Sequence, residues 1–209
     1  MGTITSSKGG RLLIAAAVTF LALLLLLGGS VMSSGGSGPG YQAGYTGRAS
    51  APVASPMPDS KPVRIDVHRI GARSSLVELG LRADRTLDVP PVSQPMQAGW
   101  YGNGPTPGEP GPAVIAGHVD GKGKAGVFHR LHELVPGDVV DVQRQDGTTA
   151  RFGVQRVERV PKSNFPTQSV YGSTPDAQLR LITCGGSFDS KAHSYRDNVI
   201  VYANLLQGG

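Results

Sequence analysis

The first strong pattern along the chain is an apolar run from Leu12 to Leu27, interrupted only by Thr19, that weakens through Gly28-Gly29-Ser30 and ends at Val31-Met32. Counted to Met32 it holds 21 residues, close to the ~20 that a helix needs to cross ~30 Å of hydrocarbon. Lys8 and Arg11 lie on its N-terminal side. The sequence therefore predicts one transmembrane signal anchor over 12–32, with 1–11 cytoplasmic and all that follows outside a cell membrane crossed once. A cleaved signal peptide shares the basic start and apolar middle, but Ser30-Val31-Met32-Ser33 lacks the A-x-A pattern of a cleavage site. Residues 33–60 then lose apolar periodicity in a low-complexity mixture of Gly, Ser, Pro and Ala. Such a stretch cannot bury enough surface to fold and predicts a flexible linker, which would hold the next segment about 30 Å from its anchor.

From Lys61 the pattern changes again, to short alternating or apolar runs separated by turn residues. Val63-Arg64-Ile65-Asp66-Val67 alternates with period two, and Ala113-Val114-Ile115-Ala116 is a short apolar run. Val139-Val140-Asp141-Val142 leads into the turn Gln145-Asp146-Gly147, after which Phe152, Val154 and Val157 recur. Leu179 to Thr183 and Asn198 to Ala203 are the last and most strand-like runs, joined by a polar, Gly-rich loop. Only Phe128 to Leu134 reads as a short helical turn. Many short strands and few helices predict an all-β domain over 61–207, a closed barrel or sandwich.

Composition agrees with that reading, since Gly and Pro supply 30 and 16 of the 209 residues. The net charge of +5 comes partly from the N-terminal segments, and the basic residues of the domain are scattered among acids, as in Arg144, Asp146, Arg151, Arg156, Glu158 and Arg159. That pattern belongs to solvated strand faces and excludes a nucleic-acid surface, which clusters its cations. The single cysteine excludes an intrachain disulfide. Outside the cell a lone thiol is open to oxidation, so its presence asks for a reason.

Cys184 follows the apolar run Leu179–Thr183 and precedes Gly185-Gly186, which predicts a thiol emerging at a strand end with room for another chain to approach. The alternative is a small buried hydrophobe. A thiol attacks as thiolate and needs a proton acceptor or a nearby cation. His118, just past Ala116-Gly117, is the candidate acid and base, and His193 in the polar loop is its rival. Attack on an amide carbonyl also needs a donor for the oxyanion. Arg196 offers one if the last two strands are neighbours; otherwise it is a surface residue or an ion-pair partner of Asp197.

The stretches Leu181-Ile182-Thr183-Cys184, Ala116-Gly117-His118 and Tyr195-Arg196-Asp197-Asn198-Val199 resemble the motifs of sortases. Trp100-Tyr101 and Gly108-Glu109-Pro110-Gly111-Pro112 most resemble the actinobacterial class F group. The likeness covers about residues 61–206. It implies an eight-stranded sortase-like β-barrel and recognition of an LPXTG-like sorting signal on other exported proteins. It further implies a thioacyl intermediate on Cys184 and transfer to an amine of a cell-wall precursor. His118 would serve as acid and base and Arg196 as oxyanion stabiliser, while Thr183 corresponds to the Thr that touches the signal. Sortases commonly carry Thr-Leu-x-Thr-Cys, but Arg180 stands at the first position. Its side chain is expected on the strand face opposite Leu179 and Leu181, altering packing or signal preference.

Other residues carry weaker signals. His129 and His132 invite a metal reading, but with only Glu133 nearby a surface turn is the better account; no metal or cofactor is expected. Asp120 could orient His118 as in a triad, although Val119-Asp120-Gly121 reads as a chain reversal. Residues 102–112 are expected to run over the surface and help form the groove, and Trp100 and Tyr101 to act as packing anchors. L,D-transpeptidases and papain-like peptidases differ in the order and context of Cys and His. The expected state is a monomer. The competing reading from another class is a noncatalytic wall-binding or thiol-sensing domain on the same barrel.

Overall fold

The computed structural model describes residues 54–207; the expected anchor over 12–32 and the linker up to residue 53 lie outside the described residues. Ten strands follow one another: β1 (Pro62–Val67), β2 (Ala72–Leu79), β3 (Ala98–Tyr101), β4 (Gly111–Gly117), β5 (Asp120–Gly121), β6 (Lys124–Ala125), β7 (Val139–Arg144), β8 (Thr149–Pro161), β9 (Ala177–Asp189) and β10 (Ser194–Leu205). One short helix, α1 (Thr167–Tyr171), lies between β8 and β9. Eight strands close a barrel in the order β1-β2-β3-β4-β9-β10-β8-β7, while β5 and β6 form a separate hairpin. The β2–β3 and β4–β9 pairs are parallel.

Period-two alternation explains the core. Ile65, Val67, Val140, Val142, Phe152, Leu179, Leu181, Val199 and Val201 point into the barrel and belong to one buried cluster. A second cluster lies on the outer face of β4, β9 and β10, where Val114, Ile182, Ile200 and Tyr202 are covered by Val170 of α1. These three strands are buried on both faces, which is why their sequences read as nearly continuous apolar runs.

Three local expectations change. The helical turn expected over 128–134 is a 3-10 turn at Leu131–Glu133, whose neighbours Phe128 and Leu134 are buried with Leu131 in the main core. The polar loop expected after Cys184 is mostly strand, because β9 continues to Asp189 and β10 begins at Ser194. The run at 102–112 packs away from the groove: Thr106 Oγ1 accepts from the Ser60 backbone N–H at 3.1 Å and the Gly108 carbonyl accepts from Met57 N–H at 2.8 Å. Residues 54–60, expected as linker, therefore lie docked along the barrel.

Candidate active site

The outer face of the β4–β9–β10 sheet carries a groove of about 760 Å³. Its floor is the end of β4, with Ala116, Gly117 and His118, beside Ile182, Thr183 and Cys184 of β9. One wall is the connection between β2 and β3, through Leu81, Leu87 and Val89; the other is the connection between β8 and β9, through Phe165 and Tyr171. Tyr101 also lines it, with its ring edge-on to Tyr171 at 6.0 Å between centroids. Trp100 is buried and donates from Nε1 to the Pro105 carbonyl at 3.1 Å, a packing anchor.

The register of the strands brings His118 and Cys184 together. In the parallel β4–β9 pair Ala116 is opposite Ile182, so two residues further along each chain His118 comes level with Cys184. Adjacent strands lie ~4.8 Å apart and the period of two keeps both side chains on the outer, groove face. β4 ends at Gly117, so His118 sits at a strand end as expected. Cys184 does not: β9 runs on, and the thiol stands where β9 loses its β4 neighbour and continues paired only with β10. Nor do the two glycines simply open space. Gly186 has φ +78°, and a Cβ there would collide with the Asp197 carboxylate, which pairs with Arg159 Nε at 2.6 Å.

His118 Nε2 lies 2.6 Å from the Pro90 carbonyl oxygen. A carbonyl can only accept, so Nε2 carries a proton and the neutral ring keeps its free lone pair at Nδ1. Asp120 accepts a hydrogen bond from the Tyr195 hydroxyl and so serves that residue. The same bond, with burial and the Asp120 and Cys184 charges adding to it, holds the Tyr195 hydroxyl above its ordinary pKa. His193 is exposed at the tip of the β9–β10 hairpin with φ +47° and is not in the groove lining. His129 is tied by Nδ1 to the Val119 carbonyl at 3.1 Å, and Arg130 pairs with Glu133 one turn on.

Arg196 is placed apart from the groove. The β9–β10 register jumps between Tyr195 and Asp197, so that Arg196 alone faces a bulge of two β9 residues, Gly186 and Ser187. Its side chain is 67% exposed and its guanidinium pairs with Asp189 at 3.1 Å, a different carboxylate from the Asp197 of the alternative reading. The residue directly opposite Cys184 on β10 is Asn198, which lines the groove. The sequence contains no signal for it, because a bulge shifts the register by one residue without changing composition. Thr183 lines the groove and is buried, with its Oγ1 lacking a hydrogen-bond partner among the described residues.

Arg180 lies on the outer strand face, opposite Leu179 and Leu181. It donates to the Ser169 carbonyl of α1 at 3.1 Å and to Gln178 Oε1, and stacks 4.6 Å from the Tyr202 ring centroid. Burial lowers its pKa to about 10.

The fold and site define a closed β-barrel that presents one thiol beside an imidazole at the end of a peptide-sized groove. The family model for the sortase domain matches residues 65–206, and the chain belongs to the sortase family. Sortases are, in general, cysteine transpeptidases that join sorting signals to cell-wall precursor amines. Among solved structures it is similar to a Clostridium perfringens sortase D5 transpeptidase, at 21% identity and TM-score 0.51, covering 69% of this chain and 79% of that one. It is also similar to sortase C-1 of Actinomyces oris, at 21% identity and TM-score 0.55, covering 76% and 90%. Sortase A of Corynebacterium diphtheriae matches at 19% identity and TM-score 0.54, covering 72% and 63%. No curated protein sequence matches.

Proposed function

We propose that the chain is a sortase of the class F type that cleaves an LPXTG-like signal on exported proteins and transfers the acyl part to a cell-wall precursor amine. The observation that supports this best is the parallel β4–β9 register, which sets His118 beside Cys184 at the end of an apolar groove. The Cys184 proton passes to Nδ1 of His118, and the thiolate attacks the carbonyl carbon of the Thr–Gly bond. The oxyanion collapses, the C–N bond breaks, and the imidazolium gives its proton to the leaving amine. An acceptor amine then attacks the thioester carbonyl, losing its proton to His118 while the C–S bond breaks and the thiolate returns. Pro90 keeps the ring in the tautomer this sequence needs, and Arg196 reaches the oxyanion by leaving Asp189. The class F affinity rests on Trp100-Tyr101 and the Gly108–Pro112 run. We place the protein on the outer side of a cell membrane, anchored through 12–32 and acting as a monomer.

The Arg196–Asp189 pairing is the one feature that favours the second reading, a noncatalytic wall-binding or thiol-sensing domain. Incubation of the protein with a fluorescent LPXTG-type peptide and an amine separates the two. The expected outcome is a Cys184-linked thioester and transfer product, absent in Cys184→Ala and reduced by about a hundredfold or more in His118→Ala. Failure to form either with any sorting peptide would sink the transpeptidase reading.

A further inference from the structure

The groove is apolar in its walls and one-signed in its charge. Arg82, Arg85 and Lys162 line it, and no Asp or Glu does. The two acids of the same loop are committed elsewhere. Asp88 pairs with Arg82 at 3.1 Å and accepts from Val89 N–H at 2.8 Å. Asp84 accepts from both the backbone N–H and the hydroxyl of Thr86. Among the described residues Arg85 has no carboxylate partner, and Lys162 donates only to a neutral group, Ser194 Oγ, at 2.7 Å. Two uncompensated cations, one from each wall, thus flank Leu81, Leu87 and Phe165. A cleft with cationic rims and low-dielectric walls concentrates field and draws an anion.

The direction of the groove says which part of a substrate meets them. β9 contributes Ile182, Thr183 and Cys184 but nothing past the thiol. The wall that carries Arg85 continues from Leu79, level with Tyr101 and so with the middle of β4, on the side from which β9 reaches Cys184. Lys162 instead bonds Ser194, opposite Asp189 and past the thiol. An enzyme working through a thioacyl intermediate must hold the acyl segment throughout, while leaving and acceptor amines exchange on the open side. We propose that the groove selects a sorting signal bearing a side-chain carboxylate on the acyl side of the scissile bond, recognised by Arg85. The proposal rests on the transpeptidase reading of the same site and adds the charge of the substrate to it.

The test compares peptides in an LPXTG frame with Glu or Gln at the variable position, on the full chain. Exposed ion pairs are individually weak, so the expected preference in kcat/KM for Glu is about three- to tenfold at low salt, shrinking at high salt. Arg85→Asn should bring kcat/KM for the Glu and Gln peptides to equality, whereas Lys162→Ala should leave the preference in place; Asn tolerates the left-handed backbone at Arg85, where φ is +65°. The same peptides bound to Cys184→Ala, read by fluorescence anisotropy, report the groove without chemistry, so loss of catalysis and loss of charge selection remain distinguishable. Equal binding and equal kcat/KM for both peptides would overturn the proposal, as would a preference that survives Arg85→Asn. Triglycine and triglycine amide as acceptors test the other source of a carboxylate. Discrimination between those alone would place the recognised charge on the acceptor and overturn the acyl-side assignment.

Discussion

Arg196 is the residue whose position differs most from the role proposed for it. Its pairing with Asp189 is an exposed one on the Arg side, and such pairs contribute about 0–1 kcal/mol. Releasing the guanidinium therefore costs less than the gain from one oxyanion donor, about 2.7–4 kcal/mol when measured by its removal. Asp189 does not follow, because its carboxylate is also fixed by the Lys191 and Ala192 backbone N–H groups; these bonds come first in holding its pKa low. Arg196→Ala is expected to lower kcat by about a hundredfold with the melting temperature unchanged. Asp189→Asn should leave kcat equal to or above that of the parent. A fall in kcat for Asp189→Asn as large as that for Arg196→Ala would mean that the pair itself is the working unit.

At the scale of elements, the groove depends on a helix that cannot stand alone. α1 has five residues, too few to persist in water without packing. Val170 seats it on the outer sheet face, and Arg180 ties it by the Ser169 carbonyl. The buried guanidinium carries a cost. Its pKa of about 10 in the fold lies below the ordinary arginine value, so burial opposes folding at all pH values below about 10 and is relieved only as pH rises toward the unfolded value. Arg180→Met, which keeps the stem and removes the charge, should leave the melting temperature the same or higher, while raising KM for a sorting peptide severalfold through a looser Tyr171 wall. A lower melting temperature with unchanged KM would make Arg180 a purely structural residue. Much of this layer was legible in the sequence: β1, β4, β7, β8, β9 and β10 each announce themselves by alternation or by apolar runs. β2 did not, since Arg73, Ser74 and Ser75 mask a strand whose outer face is solvated, and β3 is only four residues long. His118 and Cys184 were legible because each ends an apolar run at the same level of two paired strands. Asn198 and the turning away of Arg196 were hidden, because both follow from one bulge.

On the scale of the whole molecule, the barrel is completed by the segment that precedes it. Arg144 ends β7 with its side chain fully buried, and its Nε and Nη1 lack partners among the described residues. Its Nη2 donates to the Pro58 carbonyl, and Asp146 lies 3.3 Å away. The same arm is pinned by Met57 to Gly108 and by Ser60 Oγ, which accepts from Asp146 N–H at 3.1 Å. Low complexity made this stretch read as linker, yet a buried cation needs its acceptors from somewhere, and here the backbone of residues 57–58 supplies one. A protein beginning at residue 61 therefore leaves the guanidinium without that carbonyl and opens its pocket to water. The expected loss relative to one beginning at residue 54 is about 1–3 kcal/mol, or roughly 3–10 °C in melting temperature for a domain of this size. The coupling can be isolated by repeating the truncation on Arg144→Met, where no buried charge remains to be satisfied. There the loss should fall to less than half, and an undiminished loss would assign the arm's contribution to Met57 and Ala54 packing instead of to Arg144.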